Sequence, residues 1–175
     1  MTRQASRDAG AAPWLPAVGI VAAGGATALL LLDRPVAAAV AVAVCGGALA
    51  VAAARTIEAR SARLRFAQAV TERVCDAVIL GAVAWVWVED DAAISAAALT
   101  ALGLSYLGAY LRAKAVGLGF RMTDQWMEQY VHFGLVSAGL FLEPGLLVLL
   151  WLAAAIDLQA AIRVAIQVGR QRETG

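Results

Sequence analysis

Residues 50–76, AVAAARTIEARSARLRFAQAVTERVCD, form the charged stretch that decides how this chain folds. Upstream of it the sequence is almost wholly apolar for roughly 35 residues, the length of more than one membrane span. The stretch itself has five arginines, two glutamates and one aspartate. Its last charges, Glu72, Arg73 and Asp76, run into the next apolar segment. Such charges belong either to a plain loop or to the remains of a site.

The composition is that of an integral membrane protein. Of the 175 residues, 62% are hydrophobic and 15% are charged, whereas a soluble domain is about half apolar and about a quarter charged. The formal net charge of +1 gives no basis for nucleic-acid binding, so no nucleic-acid partner is expected. Cys45 and Cys75 lie in apolar segments without metal or redox spacing. They are therefore predicted to be small packing residues.

Six apolar segments reach the length of roughly 20 residues that a spanning helix requires. The chain is predicted to be an all-α polytopic membrane bundle. The predicted spans are residues 14–32, 36–54, 66–88, 92–116, 126–142 and 145–168.

The spans define the predicted domain organisation. A transmembrane domain covers 13–169, between a cytoplasmic arm at 1–12 and a cytoplasmic tail at 170–175. The arm has no apolar signal-peptide core, so it is expected in the mature protein. The long links are 55–65 and 117–125, and the GLG at 117–119 is predicted to end a helix.

The basic residues predict the orientation in the membrane. All of them except Arg34 fall on one side of the predicted spans, and basic residues favour the cytoplasmic side. Both termini are therefore predicted to be cytoplasmic, in the inner (plasma) membrane, with Trp85 and Trp87 as external interfacial anchors. The residues on the cytoplasmic side are Arg3, Arg7, Arg55, Arg60, Arg63, Arg65, Arg73, Arg112, Lys114, Arg121, Arg163, Arg170 and Arg172.

Polar residues inside spans are costly and are functional candidates. Glu72 and Asp76 are four residues apart and share one helical face. Most intramembrane charges fall in the cytoplasmic half, which predicts a polar cavity open to that side. A simpler interpretation also exists for each of them. Glu72 and Arg73 could snorkel to the interface, His132 could be a hydrogen-bonded packing residue, and Asp157 could pair with a basic neighbour.

The spacing from Ala54-Arg55 to Gln68 and Glu72 resembles the signature of the CDP-alcohol phosphatidyltransferases, Asp-x2-Asp-Gly-x2-Ala-Arg-x8-Gly-x3-Asp-x3-Asp. The Ala-Arg pair matches directly. In this register the four aspartate positions are occupied by Gly47, Ala50, Gln68 and Glu72. The two signature glycines are replaced as well, by Val51 and Leu64.

Matches on either side support this register. The segment RFAQAVTERVCDAVILGAVAW is similar to the family's third span, and AYLRAKAVGLGF places Arg112 and Lys114 on two basic positions. QWMEQYV keeps Glu128, and the resemblance covers nearly the whole chain. The nearest branch is that of the bacterial phosphatidylinositol-phosphate and phosphatidylglycerol-phosphate synthases. The matching residues of the third span are Arg73, Asp76, Ala77, Gly81, Ala84 and Trp85.

The resemblance implies a chemistry that these residues do not fully supply. In the family, four aspartates hold the divalent ions that bind the CDP diphosphate, and the last aspartate serves as base on the acceptor hydroxyl. Hard cations such as Mg²⁺ and Mn²⁺ require anionic oxygen ligands. Here Glu72 is the one carboxylate at the four positions. No cofactor is therefore expected. Mg²⁺ or Mn²⁺ is expected, with Glu72 as the catalytic residue, only if the protein is active.

Two functions follow from the resemblance. The first is a non-catalytic member that forms a homodimer, or a heterodimer with an active paralogue, in phospholipid or glycolipid biosynthesis. Such a member could also bind membrane lipid or a phosphorylated or CDP-linked ligand through Arg55, Arg112, Lys114 and Asp76. The alternative is an active enzyme with an atypical metal site. A third possibility is an unrelated six-span protein. Against a transporter in particular, no span has a Gly or Pro break near mid-membrane that is paired between the two halves.

Overall fold

The computed structural model describes residues 14–59, 62–122 and 126–172, and every long element in these ranges is an α-helix. This confirms the predicted all-α bundle of six helices. The predicted arm at 1–12 and the last three residues of the predicted tail lie outside the described residues. The helices are α1 (Leu15–Leu31), α2 (Pro35–Ala59), α3 (Ala62–Val86), α4 (Ala92–Gly117), α5 (Trp126–Phe141) and α6 (Leu146–Arg172), with a short 3₁₀ turn at Glu143–Gly145 before α6.

Local sequence sets several of the helix ends. Asp91 caps α4, because its side chain accepts hydrogen bonds from the Ala93 and Ile94 amides at 2.9 and 3.3 Å. At the other end of α4 the chain leaves the helix after Gly117, and Gly119 has φ +88°, a conformation that glycine adopts without strain. The prediction that GLG ends a helix is confirmed.

The predicted long link at 55–65 is wrong in its extent. Helix α2 continues to Ala59 and α3 begins at Ala62. The segment between Ala54 and Phe66 contains no glycine or proline, and it has four arginines, two alanines and one leucine. These residues favour helix, so polarity alone did not mark a loop.

The six helices form a closed ring around a common interior. Going round the ring the order is α1, α2, α5, α6, α4 and α3, and α3 returns to α1. Helices α2 and α3 also touch, which brings the two halves of the charged stretch together. The ring therefore directs one face of α3 toward α4, α5 and α6.

Small residues allow close approach between the helices. A Cβ atom on Gly46 would lie 2.8 Å from the Cβ of Phe133, so α2 and α5 can meet only with glycine there. Gly108 of α4 faces the backbone of α6, but a Cβ there would lie 3.9 Å from the Asp157 carbonyl oxygen, an ordinary contact distance. Cys45 and Cys75 are fully buried in the hydrophobic core. Their burial agrees with the prediction that they are packing residues.

The outward-facing residues of the bundle suit the hydrocarbon interior of a membrane. The segments Pro35–Arg55, Ala92–Gly117 and Glu143–Gln171 are long and apolar enough to cross a membrane, and α1 and Tyr130–Phe141 are shorter apolar helices. Helix α3 differs because the half that precedes Asp76 carries most of the charges. After Arg65 the exposed residues of this helix are nevertheless apolar, with Phe66 and Trp85 each 72% exposed.

Candidate functional site

Helix α3 turns its polar residues inward. Gln68, Glu72 and Asp76 are spaced by four residues and so lie on one helical face. Their exposed fractions are 4%, 9% and 1%. Glu72 therefore does not snorkel to the interface, and the end of the charged stretch forms part of the bundle interior.

The first group of contacts, the Glu72 cluster, consists of Gln68, Glu72 and Tyr130. The Gln68 Nε2 donates to the Leu49 carbonyl oxygen at 3.0 Å and to Glu72 Oε1 at 2.8 Å. The Tyr130 hydroxyl donates to the same Glu72 oxygen at 2.9 Å. Since both partners of the amide are acceptors, its nitrogen must face them. The cluster thus links α2, α3 and α5.

The second group, the Asp76 cluster, consists of Arg73, Asp76 and Ser105. Asp76 Oδ2 lies 3.0 Å from Arg73 Nη1 and accepts a hydrogen bond of 2.7 Å from the Ser105 hydroxyl. Arg73 Nη1 also donates to the Ser105 oxygen. The Tyr106 ring lies 5.9 Å from the guanidinium carbon, and its hydroxyl donates to the Arg73 carbonyl. This cluster joins α3 to α4.

A histidine–aspartate pair joins α5 to α6. His132 Nδ1 lies 2.8 Å from Asp157 Oδ2, and both residues are buried. This confirms that Asp157 pairs with a basic neighbour and that His132 is hydrogen bonded. His132 Nε2 is buried and has no hydrogen-bond partner within the described part of the chain.

A cavity of about 1040 Å³ lies between α3, α4 and α6. Arg65, in the first turn of α3, and Arg112, in the last two turns of α4, lie at one end of the bundle. Ser105 and Asp157 line the cavity deeper in the bundle. The cavity therefore has a basic mouth and a floor that contains carboxylates.

The predicted ligand-binding residues are not all placed alike. Arg112 lines the cavity. Asp76 is buried and does not line the cavity, but it contacts Arg73 and Ser105, which do. Arg55 and Lys114 are exposed and are not among the cavity-lining residues.

Sequence reasoning missed Arg65, Ser105 and Tyr130 as parts of the site. Arg65 was counted only as a charge of the predicted link. Ser105 and Tyr130 are neutral residues in apolar helices, where neither charge nor spacing marks them.

The residues at the four aspartate positions do not fit a divalent cation. Gln68 and Glu72 meet, but Gly47 is exposed with open space where a Cβ would be, and Ala50 has only a methyl group. Glu72 Oε1 already accepts two hydrogen bonds. Within the described ranges no three histidine, cysteine, aspartate or glutamate side chains come together as a metal site would require.

Protein-family models give no match to this chain, and neither do curated proteins. Two solved structures are similar, both of the phosphatidylinositol phosphate synthase of Mycobacterium tuberculosis. The one with CDP-DAG bound has a TM-score of 0.69 at 18% identity, covering 89% of this chain and 85% of that one. The one with manganese and citrate has the same TM-score and identity, with 89% and 81% covered. The chain thus has the fold of this synthase, as its resemblance to the CDP-alcohol phosphatidyltransferases predicted.

Proposed function

We propose that the protein is a non-catalytic member of the CDP-alcohol phosphatidyltransferase fold that acts as a partner or regulatory subunit in phospholipid or glycolipid biosynthesis. The observation that carries this proposal is the contact between Gln68 Nε2 and Glu72 Oε1. In the register of the resemblance these two residues replace the last two metal-binding aspartates. Two aspartates at these positions would be bridged by a cation. Here the Gln68 amide donates directly to the Glu72 carboxylate, so the two side chains meet through a hydrogen bond.

The hydrogen bonds of the Glu72 cluster oppose both metal binding and base catalysis. A divalent ion at Glu72 Oε1 would displace the hydrogens of Gln68 and Tyr130. A general base needs a free oxygen within reach of the hydroxyl that it deprotonates. The cluster engages one of the two oxygens of this carboxylate, Oε1, and through it holds α2, α3 and α5 together.

The cavity supports retained ligand binding. One of the similar structures has CDP-DAG bound, and the cavity of this chain keeps arginines at its mouth, Arg65 and Arg112. Arginine can hold a phosphate in a bidentate manner without metal. A lipid or another phosphorylated or CDP-linked ligand in this cavity, together with a second subunit at the helix surfaces, would give the protein a regulatory role.

The purified protein is expected to release no CMP from CDP-diacylglycerol, with either Mn²⁺ or Mg²⁺ and with inositol phosphate or glycerol phosphate as acceptor. It is also expected to bind neither metal stoichiometrically, because Gly47, Ala50 and Gln68 supply no anionic ligand. The measurements are CMP release and metal content after dialysis. The mycobacterial synthase, assayed in parallel, controls for the substrates.

Metal-dependent CMP release by this chain alone would contradict the proposal and support the active alternative. Copurification distinguishes the remaining roles. A paralogue with intact aspartates in the same complex would support the subunit role, and a homodimer without one would exclude a heteromeric partner under those conditions.

We also propose that both termini are cytoplasmic and that the membrane is the plasma membrane, on the strength of the basic-residue bias. Single cysteines at Asp90 and Ala62, both exposed, are expected to react with a membrane-impermeant maleimide from opposite sides. Cys45 and Cys75 are fully buried, so the background should be low. Reaction of both sites from one side would contradict this topology.

A further inference from the structure

We propose that residues 118–122, which follow α4, form a strap at the edge of the cavity between α4 and α6, and that the Gln171 side chain latches this strap to the end of α6. Release of the latch opens the cavity to water at this edge. The strap borders the ligand cavity of the proposed function, but no ligand is needed to test it.

The latch is a pair of hydrogen bonds between one side-chain amide and the backbone of one residue. The Arg121 amide donates to Gln171 Oε1 at 2.9 Å, and Gln171 Nε2 donates to the Arg121 carbonyl oxygen at 2.6 Å. The donor and the acceptor of the side chain thus both meet the same peptide segment. These two bonds join the connection that follows α4 to the last turn of α6.

The other end of the strap is fixed by the way in which α4 ends. The Gly119 amide donates to the Val116 carbonyl at 3.0 Å, and the Phe120 amide donates to the Ala115 carbonyl at 3.1 Å. Gly119 has φ +88°. This is the Schellman arrangement, in which a residue of left-handed conformation turns the chain away from the helix. The chain therefore leaves α4 in a defined direction, and Arg121 follows two residues later.

The strap begins where the wall of the cavity ends. On α4 the last lining residues are Val116 and Gly117, immediately before the strap. On α6, Asp157 and Val164 line the cavity. Gln171 follows at the same interval of seven residues, so it lies on the same face of α6, about 10 Å beyond Val164. A segment that joins these two positions spans the gap between α4 and α6 just beyond the lining residues.

The latch is weak enough to open without loss of the fold. Arg121 is exposed and Gln171 is half-buried, so water can replace either hydrogen bond. The net contribution of such a bond to stability is small. Segments held by a few exposed hydrogen bonds open locally more often than the helices that they connect. The strap can therefore move about Gly119 while α4 and α6 remain intact.

The test measures water access on two sides of the cavity. Single cysteines replace Val164, on α6 below the latch, and Ala69, a lining residue of α3. Their reaction with a water-soluble thiol reagent is timed in nanodiscs, against the parent protein as background. Gln171→Leu removes both hydrogen bonds. It is expected to accelerate reaction at Val164→Cys by at least about fivefold, the open population gained when two neutral hydrogen bonds are lost, and to leave the rate at Ala69→Cys unchanged.

A matched control is available on the same helix. Gln159→Leu makes the same change at an exposed residue of α6 that does not line the cavity, and it should alter neither rate. An unchanged rate at Val164→Cys in the Gln171→Leu background would overturn the proposal. Equal acceleration at the two cysteines would also overturn it, because the bundle would then be loosened as a whole.

Hydrogen exchange tests the latch without an introduced cysteine. The Arg121 amide of the parent protein is expected to be protected, because it donates to Gln171, and Gln171→Leu should remove the protection. Gln171→Glu keeps the acceptor and loses the donor, so it should retain this protection and accelerate Val164→Cys less. It serves as the test if the leucine variant does not fold. An Arg121 amide that exchanges in the parent as fast as in an unstructured peptide would contradict the latch.

The latch and the proposed function can fail separately. CMP release and metal content do not depend on Gln171, and the labelling and exchange rates are measured without metal, nucleotide or lipid substrate. A strap that is not latched therefore leaves the non-catalytic proposal as it stands. Metal-dependent CMP release would equally leave the labelling result as it stands.

Discussion

Replacement of Asp76 by alanine is expected to destabilise the protein by about 3–5 kcal/mol, because it leaves the guanidinium of Arg73 in the bundle interior without its carboxylate. Asp76 is 1% exposed, its ion pair with Arg73 measures 3.0 Å, and it also accepts the Ser105 hydrogen bond. The change removes two of the three contacts of the Asp76 cluster and leaves the one between Arg73 and Ser105. The measurement is the free energy of unfolding in mixed micelles, followed by circular dichroism.

The control for this change is Asp90→Ala, which removes the same carboxylate from an exposed loop. It should alter stability by no more than about 0.5 kcal/mol. The double variant Arg73→Met with Asp76→Leu removes both charges and should recover most of the stability, since a buried pair can be replaced by apolar residues at little cost. If the double variant is as unstable as Asp76→Ala, the lost stability comes from packing and not from an uncompensated charge.

Replacement of Gly46 by alanine is expected to cost about 1–3 kcal/mol, the usual range for overpacking a core. The new Cβ would lie 2.8 Å from the Cβ of Phe133 and 3.3 Å from its Cγ. Neither atom is at the far end of a flexible side chain, so α2 and α5 would have to move apart. The melting temperature of the purified protein measures the effect.

The adjacent Gly47 provides a matched control. A Cβ there meets nothing within 4 Å, so Gly47→Ala should be neutral or stabilise α2 by up to about 1 kcal/mol through helix propensity. Equal losses at the two glycines would contradict the packing of α2 against α5.

Most of the fold could be predicted from the sequence. The lengths of the apolar segments predicted six helices whose ends fall within a few residues of those observed, and the GLG at 117–119 marked the end of α4. The stretch between α2 and α3 could not be predicted in the same way, because its residues are charged but favour helix. Charge was a poor guide to loop boundaries there.

The site was only partly predictable. The spacing of Glu72 and Asp76 placed them on one face, and the structure buries both. Their partners Tyr130 and Ser105 are 58 and 29 residues away from them, respectively. Whether a neutral residue so far along the chain contacts one of these carboxylates depends on the order of the helices around the ring. No local sequence pattern encodes that order.

That ring order has a consequence for biogenesis. Helix α3 is synthesised before two of its hydrogen-bond partners. Ser105, which donates to Asp76, follows with α4, and Tyr130, which donates to Glu72, follows with α5. The α2–α5 contact, which helps to close the ring, also waits for the fifth helix. A nascent chain that ends before α5 therefore has Glu72 with its Gln68 hydrogen bond but without the one from Tyr130. We therefore expect the packing of α3 to be completed only after α5 has been inserted.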